Sequence, residues 1–482
     1  MKFTRSIRLA EERGITRRRW LSLGAAWGAS HLLAPLARPQ TRRPQKVVVA
    51  GAGIGGLCCA YELMKRGHDV TVLEAAGRTG GHIFTVRDHL MDGLYADGGA
   101  EHFTQPGYDL YWQYVHEFNL PYLPYPRRPR IMRFINGKMY SPEMLADRKV
   151  LAGFGLSQRE IDFLTRHQWW ELPLLYYQPY LDSFTDEYRP FNAGLNHLDE
   201  TSFTSLLRKD GASPAAIGFI GSETSALQVL WYAAILKLRG VPLWPPQVFR
   251  LRDGNQKMTD AFTERLGTRV QLGAPMTAIE HGEAGVTVSY RQYGQDRKMS
   301  ADYLVSSISL VQLRQVPVKP DWPEAKKRAI HETRYYSLSR PIFQSRSKFW
   351  QRDGVVPNLD FDEPALSSVW SMAEEVPTER GLLVGSASGS ADPEQALATF
   401  RRLYPGKSED VEQVRMVDWP NDPWASACER VSFPGELPKY WPVVMESVGR
   451  IHFVGAYADN LNWGMEAATR SAHRVVEIIS RS

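Results

Sequence analysis

The 482-residue sequence contains only three cysteines, and two of them, Cys58 and Cys59, are adjacent. So few cysteines cannot form the disulfide framework that is typical of small exported proteins. No group of His and Cys residues has the spacing of metal ligands, and no Gly-x-Ser-x-Gly stretch indicates a serine nucleophile. The sequence therefore predicts no disulfide scaffold, no metal centre and no serine hydrolase.

An excess of basic residues is missing from most of the chain. The net charge is +5, but residues 1–46 alone hold eleven Lys and Arg against two Glu. The remainder of the chain is therefore slightly acidic. A basic excess that is confined to a leader gives no reason to expect a nucleic-acid partner.

Long apolar runs are also absent beyond the leader, residues 1–43. In the leader, Arg17, Arg18 and Arg19 stand directly before a weakly apolar stretch, an order that resembles a twin-arginine export signal followed by a linker. An amphipathic helix or a membrane anchor is the alternative. The signal predicts a periplasmic or otherwise extracytoplasmic protein, without stable membrane insertion after export. Because twin-arginine export carries proteins already folded around a cofactor, it also favours a tightly held prosthetic group.

A glycine-rich motif lies in the stretch VVVAGAGIGG, which starts at Val47. An uninterrupted β-branched run, a Gly-x-Gly-x-x-Gly turn, a helical pattern and a second strand follow one another, as in a unit that binds a dinucleotide. The acid after the second strand can accept hydrogen bonds from ribose hydroxyls and would repel a 2′-phosphate. This segment predicts contacts to FAD or NAD from Gly51, Gly53, Ile54, Gly55, Gly56, Glu74 and Ala75.

Four further segments decide between these two dinucleotides. ExxxRxGG follows at Glu74, DGGA at residue 97, a middle segment begins at Arg250, and a strand and helix begin at Ile451. Together with the first turn they resemble the flavin-containing amine oxidase superfamily, which includes monoamine and L-amino-acid oxidases and, more distantly, carotenoid desaturases. The resemblance implies FAD, with further contacts at Arg78, Gly80, Gly81, His82, Gly98, Gly99, Ala100, Val270, Gly455, Asp459, Gly464, Met465 and Ala467.

The same resemblance implies the order of the domains. We expect an α/β fold with a Rossmann-like FAD-binding domain that is discontinuous in sequence and an interleaved α+β substrate-binding domain. The FAD-binding domain is predicted from residues 44–110, 245–320 and 425–482. The substrate domain is predicted from residues 111–244 and 321–424, with the active site in the cleft between the two.

Departures from the family pattern bear on how FAD is held. His82 replaces the second arginine of the glycine-rich segment, where it can make a polar contact or a covalent bond to flavin. Ala427 stands where monoamine oxidases have the cysteine that is linked to flavin. We therefore expect noncovalent FAD. A helix that opens at Gly464 would direct its amides to the flavin edge where negative charge collects on reduction.

Other departures bear on the substrate. Arg340 aligns with the lysine that holds a water near flavin N5, and as a permanently charged group it can orient a water or substrate but cannot act as a base. Cys428 and Gly464 replace the two aromatic residues that sandwich an amine. Trp463 is our candidate for a replacement and, with Arg340, for a catalytic role. Further aromatic candidates are Trp424, Tyr176 and Tyr177.

Two roles are not filled by the expected residue types. The position of the arginine that binds an amino-acid carboxylate holds His102, with Arg130 or Arg133 as substitutes from another side. The acid that usually follows the last FVG strand is replaced by Ala456, so we assign a ribityl contact to Asp459.

The sequence thus predicts an exported FAD-dependent oxidoreductase that oxidises the C–N bond of a small amine or amino acid by hydride transfer, followed by imine hydrolysis. A desaturase or isomerase of an apolar, isoprenoid-like substrate is one alternative, and an FAD-binding scaffold without turnover is another. Oxygen or a redox carrier accepts the electrons. A homodimer is a further expectation.

Overall fold

A parallel five-stranded sheet forms the centre of the fold. The computed structural model describes residues 43–125, 131–352, 357–361, 363 and 365–482. In chain order, its strands are β1 Lys46–Ala50, β2 Asp69–Leu73, β3 Thr85–Val86, β4 Ala96–Asp97, β5 Phe103–Gln105, β6 Tyr122–Pro124, β7 Met132–Ile135, β8 Lys138–Tyr140, β9 Gln247–Leu251, β10 Val270–Gln271, β11 Met276–His281, β12 Val286–Gln292, β13 Gln295–Ala301, β14 Tyr303–Ser306, β15 Val318–Lys319, β16 Arg334–Tyr336, β17 Leu338–Ser345, β18 Leu359–Phe361, β19 Ser368–Met372, β20 Gly381–Ser388, β21 Val411–Asp418, β22 Glu429–Val431 and β23 Ile451–Phe453.

The α-helices fall between these strands and after the last of them. They are α1 Ile54–Lys65, α2 Asp109–Glu117, α3 Arg148–Ala152, α4 Gln158–Leu164, α5 Leu174–Leu181, α6 Phe203–Lys209, α7 Pro214–Ile220, α8 Ala226–Leu238, α9 Gln256–Leu266, α10 Leu310–Leu313, α11 Glu324–Glu332, α12 Phe349–Arg352, α13 Pro393–Leu403, α14 Leu437–Tyr440 and α15 Gly464–Arg481. Short 3₁₀ turns connect several of them.

The central sheet has the strand order β10-β2-β1-β14-β23, and all its pairs are parallel. Its strands are mostly apolar, as expected when both faces are covered. Successive side chains point to opposite faces, so Val47 and Val49 contribute to one hydrophobic core and Val48 to another. The sheet thus joins strands that lie almost 400 residues apart in the chain.

Different layers cover the two faces of this sheet. On one face, α1, α9 and α15 pack around residues such as Leu57, Phe262 and Val475. The core of the other face includes Ile279 and Val288 of a smaller sheet, whose order is β13-β12-β11-β15. This arrangement leaves the carboxyl ends of β1 and β2 next to the amino end of α1, where a ligand binds in folds of this kind.

A second large sheet has the order β21-β17-β20-β19-β18-β7-β8. Its two faces are also both covered, since Ile342 and the adjacent Phe343 enter separate hydrophobic cores. The sheet combines a hairpin from residues 132–140 with strands from residues 338–418. It supplies the strand that carries Arg340.

The α/β fold predicted from the sequence is the fold that the structure has. Residues 45–482 pack as one compact unit, and the boundaries predicted for the FAD and substrate domains stay predictions. No helix in the described part of the chain has the length and hydrophobicity to cross a membrane. Most of the predicted export signal lies outside the described residues.

Candidate cofactor and substrate site

The first glycine turn leaves the amino end of α1 open. Gly51 has a φ of +100°, which favours glycine, and its amide donates to the carbonyl oxygen of Leu73 at 2.7 Å. A Cβ on Gly56 would overlap the carbonyl oxygen of Gly51. Gly53 precedes α1, which has no side-chain cap, and no atom lies within 4 Å of the place of a Cβ on Gly53. The unpaired amides of α1 therefore face a space that a phosphate can enter.

Glu74 follows β2 and lies beside this turn. Its two carboxylate oxygens accept hydrogen bonds from the amides of Ala52, at 2.6 Å, and Ala76, at 2.8 Å. Burial raises the pKa of Glu74, while these two amides lower it. The carboxylate thus fixes the glycine turn to the end of the second strand, and Ala75 lies half-buried in the same loop.

The second glycine pair closes against the first. Gly53 and Gly80 form a parallel β-bridge, and the amide of Gly80 donates to the carbonyl oxygen of Ala52 at 2.8 Å. Arg78 donates to the carbonyl oxygen of Gly81 at 3.0 Å and lies 4.4 Å from the centre of the Phe84 ring. The guanidinium is half-buried, so it can hold this loop and still contact an anion.

His82 and the DGGA turn pack against Trp419. The rings of His82 and Trp419 lie 4.6 Å apart, and the indole nitrogen of Trp419 donates to the carbonyl oxygen of Gly98 at 2.7 Å. A Cβ on Gly99 would overlap the carbonyl oxygen of His82, which accepts from the amide of Ala100 at 3.0 Å. Burial lowers the pKa of His82 to about 4, so its imidazole is neutral at pH 7. Sequence reasoning missed Trp419 because its partners lie more than 300 residues away.

The last predicted segment adjoins the first. A Cβ on Gly55 would lie 3.2 Å from the backbone nitrogen of Gly455, a residue with a φ of +129°. The amide of Gly455 donates to Ser471 at 2.9 Å. Ile54 is buried beside these residues in the core that α1 shares with α15. The two glycine segments therefore meet, although about 400 residues separate them.

Helix α15 begins at Gly464, as the sequence predicts, without a side-chain cap. Gly464 is exposed, and no atom lies within 4 Å of the place of a Cβ there. Met465 is buried in the core that α1 shares with α15, and Val270 packs against that core from the edge of the central sheet. Ala467 is buried in the core on the other face of the sheet. Like α1, helix α15, which has 18 residues, thus presents free amides at its amino end. These amides stabilise negative charge placed near them.

Glu466 holds this helix in place, a role that sequence reasoning missed. Its carboxylate is fully buried and accepts from the amides of Leu110, at 3.1 Å, and Tyr111, at 2.9 Å. Those two residues begin α2, so one carboxylate caps α2 while its own helix keeps a free amino end. An acid in the first turn of α15 was the signal available in the sequence.

Asp459 is engaged elsewhere in the structure. It is fully buried, and its carboxylate lies 3.1 Å from Arg470 and 3.3 Å from Arg474. Both arginines belong to α15. The ion pairs tie the loop before α15 to the helix, and the ribityl contact assigned to Asp459 stays a prediction.

Arg340 lies in the second large sheet with its side chain half-buried. One guanidinium nitrogen donates to Ser386, and the group lies 5.1 Å from the centre of the Trp370 ring. Its Nε atom has no hydrogen-bond partner among the described residues. The charge of Arg340 also lowers the pKa of Cys428 against the larger effect of burial, which raises that pKa to about 11. Arg340 and Cys428 therefore lie in one neighbourhood, within electrostatic reach of each other, and the substrate roles assigned to them stay predictions.

Trp463 joins this neighbourhood to the amino end of α15. Its ring stacks on Tyr108 at 5.4 Å, and a Cβ on Gly107 would overlap it. Asn462, the residue before Trp463, donates to Glu429 at 3.4 Å, and Glu429 directly follows Cys428. Trp463 is half-buried, so part of its ring is available to a ligand.

Other predicted candidates lie in different surroundings. Nδ1 of His102 is 3.4 Å from Glu101, and Arg133 lies 5.1 Å from the Trp169 ring. Tyr176 is buried in the core on one face of the central sheet and donates to Glu160 at 2.5 Å. Tyr177 packs beside Phe203, Trp424 is 42% exposed, and Arg130 lies outside the described residues.

These features fit an adenine dinucleotide such as FAD, with one helix end for its pyrophosphate and a second for its flavin ring. Two helix amino ends are uncapped, at Gly53 and Gly464, and both have room where a side chain would be. An acid stands at the ribose position. Backbone amides, rather than side chains, are the groups in this site that can contact a phosphate or the edge of a flavin.

Comparisons with known proteins agree with this interpretation. The family described as "Flavin containing amine oxidoreductase" matches residues 54–480. An L-amino-acid oxidase of Demansia vestigiata is 23% identical over 92% of this chain and 88% of its own length. An L-amino acid oxidase of Cerastes cerastes is 24% identical over 94% of this chain and 90% of its own length.

A solved structure of cyclohexylamine oxidase from Brevibacterium oxydans IH-35A is similar in fold. Its TM-score is 0.72 at 20% identity, and the match covers 91% of this chain and all of that one. Putrescine oxidase bound to putrescine has a TM-score of 0.74 at 19% identity over 91% of this chain and 99% of that one. At these identities the likeness shows the fold.

Proposed function

This chain belongs to the flavin containing amine oxidoreductases, and from that premise we propose that it is an exported enzyme that oxidises the C–N bond of a small amine or amino acid. It is an FAD-dependent oxidoreductase, as the sequence predicts. The observation that carries the proposal is the uncapped amino end of α15, which adjoins the neighbourhood of Arg340 and Cys428.

Residues of the chain hold the cofactor and orient the substrate. The amides at the start of α1 would bind the pyrophosphate of FAD, and Glu74 would bind the ribose. FAD, when bound, supplies the acceptor for a hydride from the carbon of the C–N bond. The amides of α15 offer positive potential to the negative charge that develops on the cofactor. Water then hydrolyses the imine to a carbonyl compound and an amine or ammonia.

No side chain of this site is required as a nucleophile. Arg340 has a guanidinium group, which has hydrogen-bond donors and no acceptor, so it can orient a water or substrate but cannot act as a base. The raised pKa of Cys428, about 11, keeps that thiol neutral at pH 7. The protein therefore contributes by positioning, by excluding water and by its electrostatic field.

We propose that FAD is bound without a covalent link. Ala427 has no atom that can form one, and the ring of His82 packs against Trp419. Acid precipitation of the holoenzyme is expected to leave the yellow flavin in the supernatant. Flavin that stays with the pellet and is released only as a flavin-histidine peptide would contradict this.

Anaerobic bleaching of the flavin tests the proposed reaction. Amines, L-amino acids and lipid-like alkenes are added in parallel to the oxidised holoenzyme, and the flavin absorbance is followed. Bleaching by amines or amino acids supports C–N oxidation. Bleaching by alkenes alone would favour a desaturase or isomerase, which the loss of aromatic residues at Cys428 and Gly464 makes the second candidate. No bleaching by any class would favour a scaffold.

The electron acceptor, the oligomer and the export route are proposals from the sequence. Oxygen uptake during turnover distinguishes an oxidase from an enzyme that uses a redox carrier, and light scattering tests the homodimer. Replacing Arg18 and Arg19 by Lys is expected to stop export through the twin-arginine pathway. A double variant that reaches the periplasm as fully as the wild type would rule that pathway out.

A further inference from the structure

A short strand pair brings a carboxylate to the edge of the candidate site. Strands β16 and β22 are antiparallel, with Tyr336 directly opposite Glu429. The amide of Cys428 donates to the carbonyl oxygen of Tyr336 at 3.2 Å. The resemblance to the family places Cys428 beside the reacting carbon, and Glu429, the first residue of β22, directly follows it.

The carboxylate of Glu429 has two polar partners, and neither is charged. The hydroxyl of Tyr336 donates to one oxygen at 2.7 Å, and the side-chain amide of Asn462 donates to the other at 3.4 Å. Tyr336 is 43% exposed, and Asn462 is exposed as well. Glu429 itself is half-buried. Solvent, or a ligand, therefore reaches this group of three residues.

Other interior acids of the described chain show how unusual these partners are. Asp459 has two arginines, and Glu375 has Arg250. Glu466 accepts two backbone amides instead. Within the residues that the structure describes, Glu429 forms no ion pair and accepts no backbone amide; burial raises its pKa as the largest effect. Its negative charge is thus incompletely compensated.

Arg430, the next residue, does not supply the missing cation. Successive side chains of a strand point to opposite sides, and Arg430 is buried away from Glu429. Its guanidinium donates to Tyr232 at 3.1 Å and lies 4.3 Å from the centre of the Tyr440 ring. The charge of Arg430 affects the pKa of Glu429 less than burial or the hydrogen bonds from Tyr336 and Asn462 do.

The three residues also connect to the rest of the site. Asn462 directly precedes Trp463, which stands at the start of α15. The charge of Arg340 lowers the pKa of Tyr336 against the larger effect of burial. Tyr336, Glu429 and Asn462, named here the acidic subsite, are therefore joined to each other by hydrogen bonds and adjoin the amino end of α15.

We propose that the acidic subsite selects the substrate, with Glu429 binding a positively charged group that the substrate carries in addition to the nitrogen at the oxidised bond. This inference rests on the proposed amine or amino-acid oxidation. The carboxylate supplies the charge, and the Tyr336 oxygen, which uses its proton on Glu429, can accept a further hydrogen bond. A primary ammonium group has three donors for such acceptors. The substrate class is a diamine or a basic amino acid.

Two matched substrate pairs test the inference, because the members of each differ by one distal ammonium group. The first pair is pentane-1,5-diamine and pentylamine, and the second is L-lysine and L-norleucine. For each pair the ratio of kcat/KM values is measured by anaerobic flavin reduction. In the pair that contains substrates, we expect the wild type to favour the member with the extra charge. A wild type without that preference would overturn the inference.

Glu429→Gln keeps the shape of the side chain and removes its charge. A hydrogen bond to a charged group is worth about tenfold or more in binding, so this variant should lose roughly ten- to a hundredfold of the preference, chiefly through KM. Glu280→Gln is the matched control, since it removes the same charge at an exposed ion pair with Lys298. A preference that survives in Glu429→Gln as in the control would overturn the inference.

A binding measurement separates this result from any effect on turnover. Titration calorimetry with 1,5-diguanidinopentane, a dication without a primary amine, is expected to show at least tenfold weaker binding to Glu429→Gln than to the wild type. If that variant does not fold, Tyr336→Phe provides the second test, with a smaller loss of the same preference. Equal binding by the variant and the wild type would count against the subsite.

Failure of the inference and failure of the proposed function are distinguishable. Bleaching by pentylamine or norleucine as fast as by their charged partners leaves C–N oxidation intact and removes the acidic subsite. Absence of bleaching by all four compounds, with bleaching by an alkene, removes the proposed function itself.

Discussion

Glu74 shows how one side chain serves the fold and the ligand together. Both of its oxygens already accept backbone amides, from Ala52 and Ala76. A carboxylate has about four acceptor positions, so two remain for ribose hydroxyls. The same residue therefore shapes the glycine turn and completes the binding site.

Glu74→Gln is expected to weaken FAD binding by roughly ten- to a hundredfold, because an amide has one acceptor oxygen where two are needed. The dissociation constant is measured by titrating apoprotein and following the quenching of flavin fluorescence. Glu477→Gln, at an exposed ion pair with Arg66, is the control. Equal FAD affinity of the two variants would contradict the role given to Glu74.

The FAD affinity of the wild type should also depend on pH. Burial raises the pKa of Glu74 above its usual range of about 4.3, and ribose hydroxyls donate to the ionised form. Protonation therefore competes with FAD, and the affinity should fall as the pH is lowered through that raised pKa. The same titration repeated between pH 8 and pH 4.5 checks this, and Glu74→Gln should show a smaller fall.

Single residues differ in how far the sequence identifies them. Gly51 and Gly56 are predictable because strand, turn and helix are consecutive, and local geometry leaves no space for a side chain. Trp419 and Glu466 are not, since their hydrogen-bond partners lie 321 and 355 residues away. Glu429 has the identity of an ordinary strand residue, and only its neighbours in space give it a role.

At the scale of elements, two helices with free amino ends define the site. Neither α1 nor α15 has a side-chain cap. An uncapped helix is less stable by about 1 kcal/mol than a capped one. A bound anion can restore this stability at the amino ends of α1 and α15. The adjoining Glu466 is used to cap α2 instead.

Gly464→Asp tests whether α15 faces developing charge. Aspartate at a helix amino end stabilises the helix by about 0.3–1 kcal/mol, so the apoprotein should melt at the same or a higher temperature. The new charge should also lower the reduction potential of bound FAD by about 20 mV for each kcal/mol of repulsion. The potential is measured by photoreduction against reference dyes. Gly464→Asn is the neutral control, and an unchanged potential in the aspartate variant would place the flavin elsewhere.

Elements are predictable where the chain pattern is local. The sequence indicates β1, α1 and β2 from an apolar run, a glycine turn and helical spacing. It also indicates α15, from Gly464. It does not indicate that β7 and β8 pair into the sheet of β17 to β21, because that pairing joins residues 132–140 to residues 338–418. Resemblance to the family supplies the rest of the order.

At the scale of the whole molecule, the cofactor site depends on contacts between distant parts of the chain. The central sheet takes strands from residues 46–73, 270–306 and 451–453. Gly55 and Gly455 meet across that distance. A ligand that touches both glycine segments stabilises the packing between them.

FAD should therefore raise the melting temperature of the apoprotein. At a free concentration one hundred times Kd, a ligand that binds only the folded state adds about 2.7 kcal/mol, which corresponds to a few degrees for a chain of this size. Differential scanning calorimetry at several FAD concentrations measures the shift. The shift should grow with the logarithm of the FAD concentration, whereas AMP, which lacks the flavin half, should give less.

Because Gly55 packs against Gly455, FAD can bind fully only after both segments have been synthesised. The ribosome synthesises the glycine turn at residues 51–56 early. The segment that packs against it, Gly455 with the helix at residues 464–481, is made last. Loading of FAD is thus a late event in the life of the chain. A chain that terminates before that helix would have only the first glycine segment of the FAD site and stay colourless. The yellow colour of bound flavin would therefore report that translation reached that helix.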